Sequence, residues 1–129
     1  MAKQQNVRYG EQLVNAAELD VFNNPKPGRD YTISIEHPEF TCKCPRSGYP
    51  DFATILIEYV PLGLCVELKS WKLYINSFRD IYKYHEAVVN EICDFFVERV
   101  QPKKLRITGD FNRRGNIKTV VTVEYSKPI

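Results

Sequence analysis

The 129-residue chain is 43% apolar and carries a formal net charge of only +2, which suits one domain with its own core and leaves no basic stripe of the kind a nucleic-acid binder uses. Its longest apolar runs, Ala53-Thr54-Ile55-Leu56-Ile57 and Thr119-Val120-Val121, fall far short of the roughly 20 residues that a membrane-spanning helix needs. Met1-Ala2-Lys3-Gln4-Gln5-Asn6 lacks the apolar core of a secretory signal, so the reading is a soluble cytoplasmic protein.

Residues 1–30 are polar and end in Asn23-Asn24-Pro25-Lys26-Pro27-Gly28, a loop composition that predicts an N-terminal arm, mobile or ordered by a neighbouring subunit. The rest, residues 31–129, reads as a single domain. Tyr31, Ile33 and Ile35 alternate with Thr32 and Ser34, the two-residue period of a half-buried strand over Tyr31 to Glu36. After a loop from Cys44 to Asp51, Ala53 to Val60 is rich in β-branched and aromatic residues; Pro61-Leu62-Gly63 breaks it before a short segment, Leu64 to Leu68. From Trp71 the period lengthens, with Trp71, Tyr74, Ile75 and Phe78 forming a helical stripe. A second helix begins near His85, carries Val88, Val89, Ile92, Cys93, Phe96 and Val100 on one face, and stops before Pro102. Leu105 to Phe111 and Ile117 to Tyr125, joined through Asn112-Arg113-Arg114-Gly115-Asn116, predict a terminal hairpin. This order argues an α+β domain with two helices on one face of an antiparallel sheet. Such a sheet has edges, and a homo-oligomer that continues it from subunit to subunit would cover them.

Three stretches carry chemistry. Cys44-Pro45-Arg46-Ser47-Gly48-Tyr49-Pro50-Asp51 sets a thiol and a carboxylate on either side of a turn stiffened by two prolines, with Gly48 free to take the positive φ of a tight reversal. Arg46 and Lys43 place positive charge where a thiolate, the nucleophilic form, is favoured. The same octapeptide also reads as a structural turn carrying a half-buried cysteine. The four cysteines, Cys42, Cys44, Cys65 and Cys93, read as free thiols in a chain without signs of export. Cys42-Lys43-Cys44 lacks the usual spacing of a zinc pair, and no metal is expected. In Glu67-Leu68-Lys69-Ser70-Trp71-Lys72-Leu73-Tyr74, Lys69 and Lys72 share a helix face with Ser70 near the helix start, which reads either as a phosphate grip or as a solvated face. His85-Glu86 opens the second helix, where a carboxylate is favoured by the helix dipole; an ionised Glu86 could also accept the N–H groups of a guanine-like edge.

Together, Phe40 to Ala53 with its Cys44-Pro45 and Pro50-Asp51, Glu67 to Tyr74, Ser77-Phe78-Arg79 and His85-Glu86 resemble the single-domain NADPH-dependent 7-cyano-7-deazaguanine reductases of queuosine biosynthesis. The resemblance covers about Tyr31 to the C-terminus and implies a tunnelling fold, whose subunits join their sheets and build active sites at interfaces. It implies that Cys44 adds to the nitrile carbon to give a covalent thioimide, with Asp51 as proton donor. It implies that Val66, Glu67, Leu68, His85 and Glu86 hold the deazaguanine, and that Lys69, Ser70 and Lys72 belong to the NADPH motif. Leu68 stands where serine is common, and Asp80-Ile81-Tyr82-Lys83-Tyr84 departs from the usual link before His-Glu.

Three rivals share these residues. An ammonia-dependent enzyme would make an amidine on the same nitrile in tRNA, but would not need Glu67 to Lys72. A cysteine hydrolase would use His37 or His85 as base. A non-catalytic purine- or pterin-binding oligomer would leave Cys44 inert. Should a disulfide form, Cys42 with Cys44 has poor geometry, and Cys65 or Cys93 is the better partner.

Overall fold

A computed structural model describes residues 18–129. Its elements, in chain order, are β1 (Val21–Asn23), β2 (Ile33–Lys43), β3 (Pro50–Val60), β4 (Leu64–Val66), α1 (Leu68–Asn76), α2 (His85–Val100), β5 (Lys104–Arg114) and β6 (Ile117–Ser126). Strands β2-β3-β5-β6 form an antiparallel sheet in that order, and β1 pairs with β4 in a second, two-stranded one. The class is α+β, as the periodicities predict.

Alternation decides what the sheet buries. Ala53, Ile55, Ile57 and Tyr59 of β3 and Leu105, Ile107 and Phe111 of β5 face a core completed by Trp71 and Ile75 of α1 and Val88, Val89, Ile92 and Phe96 of α2. The opposite face carries Glu36, Glu58, Arg106 and Glu124, which are exposed or half-buried. One face is therefore dry and covered by both helices, and the other is polar.

Several boundaries differ from the sequence reading: β3 starts at Pro50, inside the expected loop, Leu68 belongs to α1, and β5 runs on to Arg114. Strand β2 does not stop at Glu36 but runs to Lys43, through a bulge between His37 and Phe40. Pro38 interrupts the alternating pattern there, yet an edge strand tolerates a proline at a bulge, and the extra residue returns Phe40 and Cys42 to the core face. Helix α1 starts at Leu68, before the apolar stripe begins at Trp71, because Glu67 caps it.

Within the expected N-terminal arm, residues 1–17 lie outside the described residues. Residues 18–30 are not all loop: Leu19 is buried, Val21–Asn23 pair with Leu64–Val66, and the Glu67 N–H donates to the Asp20 carbonyl at 2.9 Å. Asn24 to Gly28 is irregular, as the loop composition predicts, whereas Asn23 closes β1. The chain thus enters the domain by strapping the segment that leads into α1.

Candidate active site

The β2–β3 turn is built as its sequence dictates. The Cys44 N–H donates to the Tyr49 carbonyl and the Gly48 N–H to the Cys44 carbonyl, each at 2.9 Å, and Gly48 takes φ +77°. The partly exposed Cys44 thiol is held below the ordinary thiol range, first by the Ser47 backbone N–H, then by the Ser47 hydroxyl and the Arg46 N–H, with the Arg114 guanidinium adding a smaller effect. The sources of this shift correct the expectation from charge. Arg46 acts through its backbone, and the Lys43 ammonium turns to Asp80 at 3.5 Å and lies over the Tyr82 ring.

Asp51 sits at the start of β3, opposite Cys42, and is 8% exposed. Each carboxylate oxygen has its own partner: Oδ1 accepts from Arg114 Nη1, and Oδ2 lies 3.2 Å from His85 Nε2. His85, the first residue of α2, is held by parallel stacking on Phe111 of β5, with ring centroids 3.7 Å apart and planes 8° apart. Phe111 is itself buried against Phe40. Arg114 Nη2 donates to Ser47 Oγ at 3.0 Å, and the guanidinium lies over the Tyr49 ring. Cys44, Ser47, Asp51, His85, Glu86 and Arg114 line one cavity of about 440 Å³. Glu86 is exposed at its rim.

Cys42, two residues before Cys44, is its electrostatic opposite. Cys42 is fully buried, and burial pushes its thiol up to about 11, with Asp51 and Cys44 adding to the effect. All four cysteines are free thiols.

The remaining predicted residues lie elsewhere in the subunit. The Val66 N–H donates to the Tyr59 hydroxyl at 3.0 Å. Glu67 caps α1, accepting the N–H groups of Lys69 at 2.7 Å and Ser70 at 2.8 Å, and these bonds hold its carboxyl below the usual range. Ser70 is buried; its hydroxyl donates to the Glu67 carbonyl and accepts the Asp20 N–H. Leu68, Lys69 and Lys72 are exposed. Leu68 and Lys72 line a second cavity of about 330 Å³ with His37, Glu39, Trp71 and Asn76, which shares no lining residue with the first. The fold of a single chain therefore brings Cys44, Asp51, His85 and Glu86 together and leaves Val66 to Lys72 apart from them. His37, weighed as a hydrolase base, lines that second cavity, and His85 turns its Nε2 to Asp51.

Sequence reasoning missed Arg114, Phe111 and the role of Ser47. The available signal was the Arg113-Arg114 pair against the Gly115-Asn116 turn, which by itself reads as a solvated hairpin tip.

Comparison with known proteins gives the family and the fold. The family described as QueF-like protein matches residues 50–129. The NADPH-dependent 7-cyano-7-deazaguanine reductase of Gloeobacter violaceus is 56% identical over 122 residues, 95% of this chain and 89% of that protein. This chain belongs to the QueF-like family. Reductases of the same description from Thermosynechococcus vestitus and a Synechocystis species are 53% and 55% identical, over 94% and 92% of this chain and 92% and 86% of theirs. Among solved structures, the archaeosine synthase QueF-Like in its apo form superposes with a TM-score of 0.70 at 18% identity, over 76% of this chain and 96% of that one. That likeness shows the fold. Among the described residues, no helix of this QueF-like protein is long and apolar enough to cross a membrane.

Proposed function

We propose that this protein is a cytoplasmic NADPH-dependent nitrile reductase that converts 7-cyano-7-deazaguanine to 7-aminomethyl-7-deazaguanine for queuosine biosynthesis. The observation that carries the reading is a thiol held below its ordinary range in one cavity with a buried, doubly held carboxylate, in a chain 56% identical to a reductase of that description.

Cys44 is the nucleophile and Asp51 the proton donor. The Cys44 sulfur bonds the nitrile carbon, one carbon–nitrogen π bond breaks, and the proton that the Cys44 thiol gives up is taken by Asp51 and donated to the nitrile nitrogen, leaving a thioimide on Cys44. NADPH, when bound, supplies the two hydrides that carry this carbon to the amine. Cys44 leaves as a thiolate after the first reduction, and the N–H groups around it, which hold its thiol below the ordinary range, stabilise that charge. Glu86 and His85 at one cavity, with Val66, Glu67 and Leu68, hold the deazaguanine; the ionised carboxylates accept its ring N–H and amine.

The coenzyme fits the second group of residues. Lys72 lines the 330 Å³ cavity and Lys69 is exposed three residues earlier on α1, so the two supply the charge that the coenzyme's phosphates require. The N–H groups at the start of α1 are taken by Glu67, so the lysines bind phosphate and Ser70 fixes the turn that presents them.

Residues 31–129 act as one catalytic domain entered through residues 1–30, and the working enzyme is a homo-oligomer. The outer edges of β2 and β6 carry no further strand among the described residues, which supports sheet continuation between subunits. A site completed between subunits in this way would need Val66 to Lys72 of one subunit at the Cys44 cavity of the next. The small net charge supports a free nucleobase as substrate, with no direct nucleic-acid partner.

The test is NADPH oxidation with 7-cyano-7-deazaguanine by wild type, Cys44→Ala and Asp51→Ala. Two equivalents consumed per nitrile by wild type and none by Cys44→Ala are expected. A Cys44 adduct formed without NADPH oxidation would instead support the ammonia-dependent reaction, and no adduct at all would support a binding scaffold.

A further inference from the structure

The β5–β6 hairpin closes through Gly115 and Asn116, both at positive φ (58° and 70°), the conformation of a tight two-residue turn. Between Phe111 and Arg114 the register shifts: Phe111 pairs with Thr119, but Arg114 pairs with Ile117, so Asn112 and Arg113 together stand against Lys118. A bulge of this kind re-aims the residue that follows it. Uninterrupted alternation from Phe111 would put Arg114 on the polar face of the sheet. The bulge returns it to the face that Asp51 occupies.

We propose that Arg114 is a positioning residue for nitrile addition: its planar guanidinium joins the Asp51 carboxylate through Nη1 to the Cys44 turn through Nη2, so that acid and nucleophile are held as one unit. The inference rests on the reading of Cys44 and Asp51 given above. One N–H goes to Asp51 Oδ1 and another to Ser47 Oγ at 3.0 Å, and Ser47 supplies the two largest contributions to stabilising the Cys44 thiolate. His85 holds the other oxygen of Asp51 at 3.2 Å, so with Arg114 in place the carboxylate is fixed at both ends. Lysine could not replace this arrangement, because a point charge on a flexible stem does not present a rigid fork to two separated acceptors. The Arg114 side chain is 40% exposed, and the hairpin register is set by its turn and strand pairs, so the fold does not depend on it. The charged and titratable groups about the site are Arg114 from the hairpin, Asp51 from β3, Cys42 and Lys43 from β2, and His85 and Glu86 from α2.

The experiment compares wild type, Arg114→Ala and Arg114→Lys in two assays. Thioimide formation with 7-cyano-7-deazaguanine, without NADPH, is followed by intact mass; Cys44 alkylation by iodoacetamide is followed against pH. Arg114→Ala is expected to slow adduct formation by on the order of 10²-fold, the scale of a misplaced reacting group, with little change in the half-saturating nitrile concentration. Its alkylation profile moves to higher pH, and millimolar guanidinium restores part of both. Arg114→Lys keeps a charge near the thiol and recovers part of the alkylation profile, but little of the adduct rate. Wild-type adduct kinetics in Arg114→Ala with an unmoved alkylation profile would overturn the proposal, as would a defect confined to KM for NADPH. If wild type itself forms no adduct, the reductase reading fails, and the alkylation profiles still decide whether Arg114 is coupled to Cys44.

Discussion

Gly109→Ala tests whether the core beneath α2 sets the geometry of the site. Gly109 lies in β5 between Ile55 of β3 and Val121 of β6. A methyl group there would meet Val89 Cγ2 at 2.6 Å, the Phe111 ring at 3.0 Å and Ile55 Cδ1 at 3.7 Å. Carbon atoms prefer about 3.5–4.0 Å, so the Val89 contact is about 1 Å too close. Neither close neighbour can swing away: Val89 is fully buried, and Phe111 is held between Phe40 and the stacked His85 ring. Overpacking of this kind costs about 1–3 kcal/mol. Loss of glycine's freedom in the unfolded chain returns roughly 0.4–1 kcal/mol. The net is a destabilisation of about 1–2 kcal/mol, or roughly 3–10 °C in Tm for a domain of this size. Urea unfolding read from the single tryptophan, the buried Trp71, measures it. The strain must be relieved by lifting α2 or turning Phe111, and both move His85 against Asp51, so thioimide formation should slow as well. Unchanged stability would refute the packing argument, and lost stability with a wild-type adduct rate would refute its link to the site.

Asp51→Asn leaves Arg114 and His85 facing an amide and should slow thioimide formation by about 10²–10⁴-fold, the range for a general acid; an adduct rate equal to wild type by intact mass would rule Asp51 out. Iodoacetamide near neutral pH should label Cys44 and spare Cys42, and Ser47→Ala should move Cys44 labelling to higher pH; peptide mass mapping that finds the two thiols equally reactive would contradict this. Cys42 also makes stability depend on pH: its thiol is raised from 9.0 to about 11 on folding, so its contribution is fully present below pH 9.0 and is lost as pH rises towards about 11. Cys42→Ala should make that decline in urea midpoints shallower, and an identical slope would show that Cys42 is not its source. Ser70→Ala leaves the Asp20 N–H without its acceptor and should lower stability by about 1–3 kcal/mol, and KM for NADPH should rise through loss of the turn; an unchanged urea midpoint would remove the anchoring role.

What the sequence showed plainly was whatever repeats with a fixed period. Ile117 to Tyr125 alternates and is a strand; Val88 to Val100 repeats at three and four residues and is a helix. Gly48 was legible for a different reason, since the turn needs a positive φ and glycine supplies it without a steric penalty. The bulge in β2 was not legible, because Pro38 reads locally as a break and only the need to bury Phe40 and Cys42 on a paired strand carries the chain through it. The start of α1 was hidden because Glu67 is no standard capping residue, yet its side chain takes two of the helix's first N–H groups. Arg114 was the largest omission. It lies 63 residues from Asp51 in a turn whose charges look solvated, and a contact over that separation is a property of sheet register that no local pattern records.

The groups proposed as catalytic lie where elements begin or end, and the burial of those elements makes the site stiff. Cys44 follows β2, Asp51 opens β3, Arg114 closes β5 and His85 opens α2. Strands β2 and β3 run antiparallel, as do β3 and β5, so the end of β2, the start of β3 and the end of β5 fall at one edge of the sheet. A parallel bridge between Lys43 and Tyr82 brings the segment before α2 to the same edge. The element ends are exposed enough to meet a ligand, yet each is two or three residues from a side chain with almost no freedom: Cys42 before Cys44, Ala53 after Asp51, Val88 after His85. Phe111 serves both roles at once, packing against Phe40 on the core side and supporting the His85 ring on the site side. On the proposed reading, reacting groups held in this way lose little further freedom when a nitrile binds, which is how a chain of modest size would hold Cys44, Asp51, His85 and Glu86 in register.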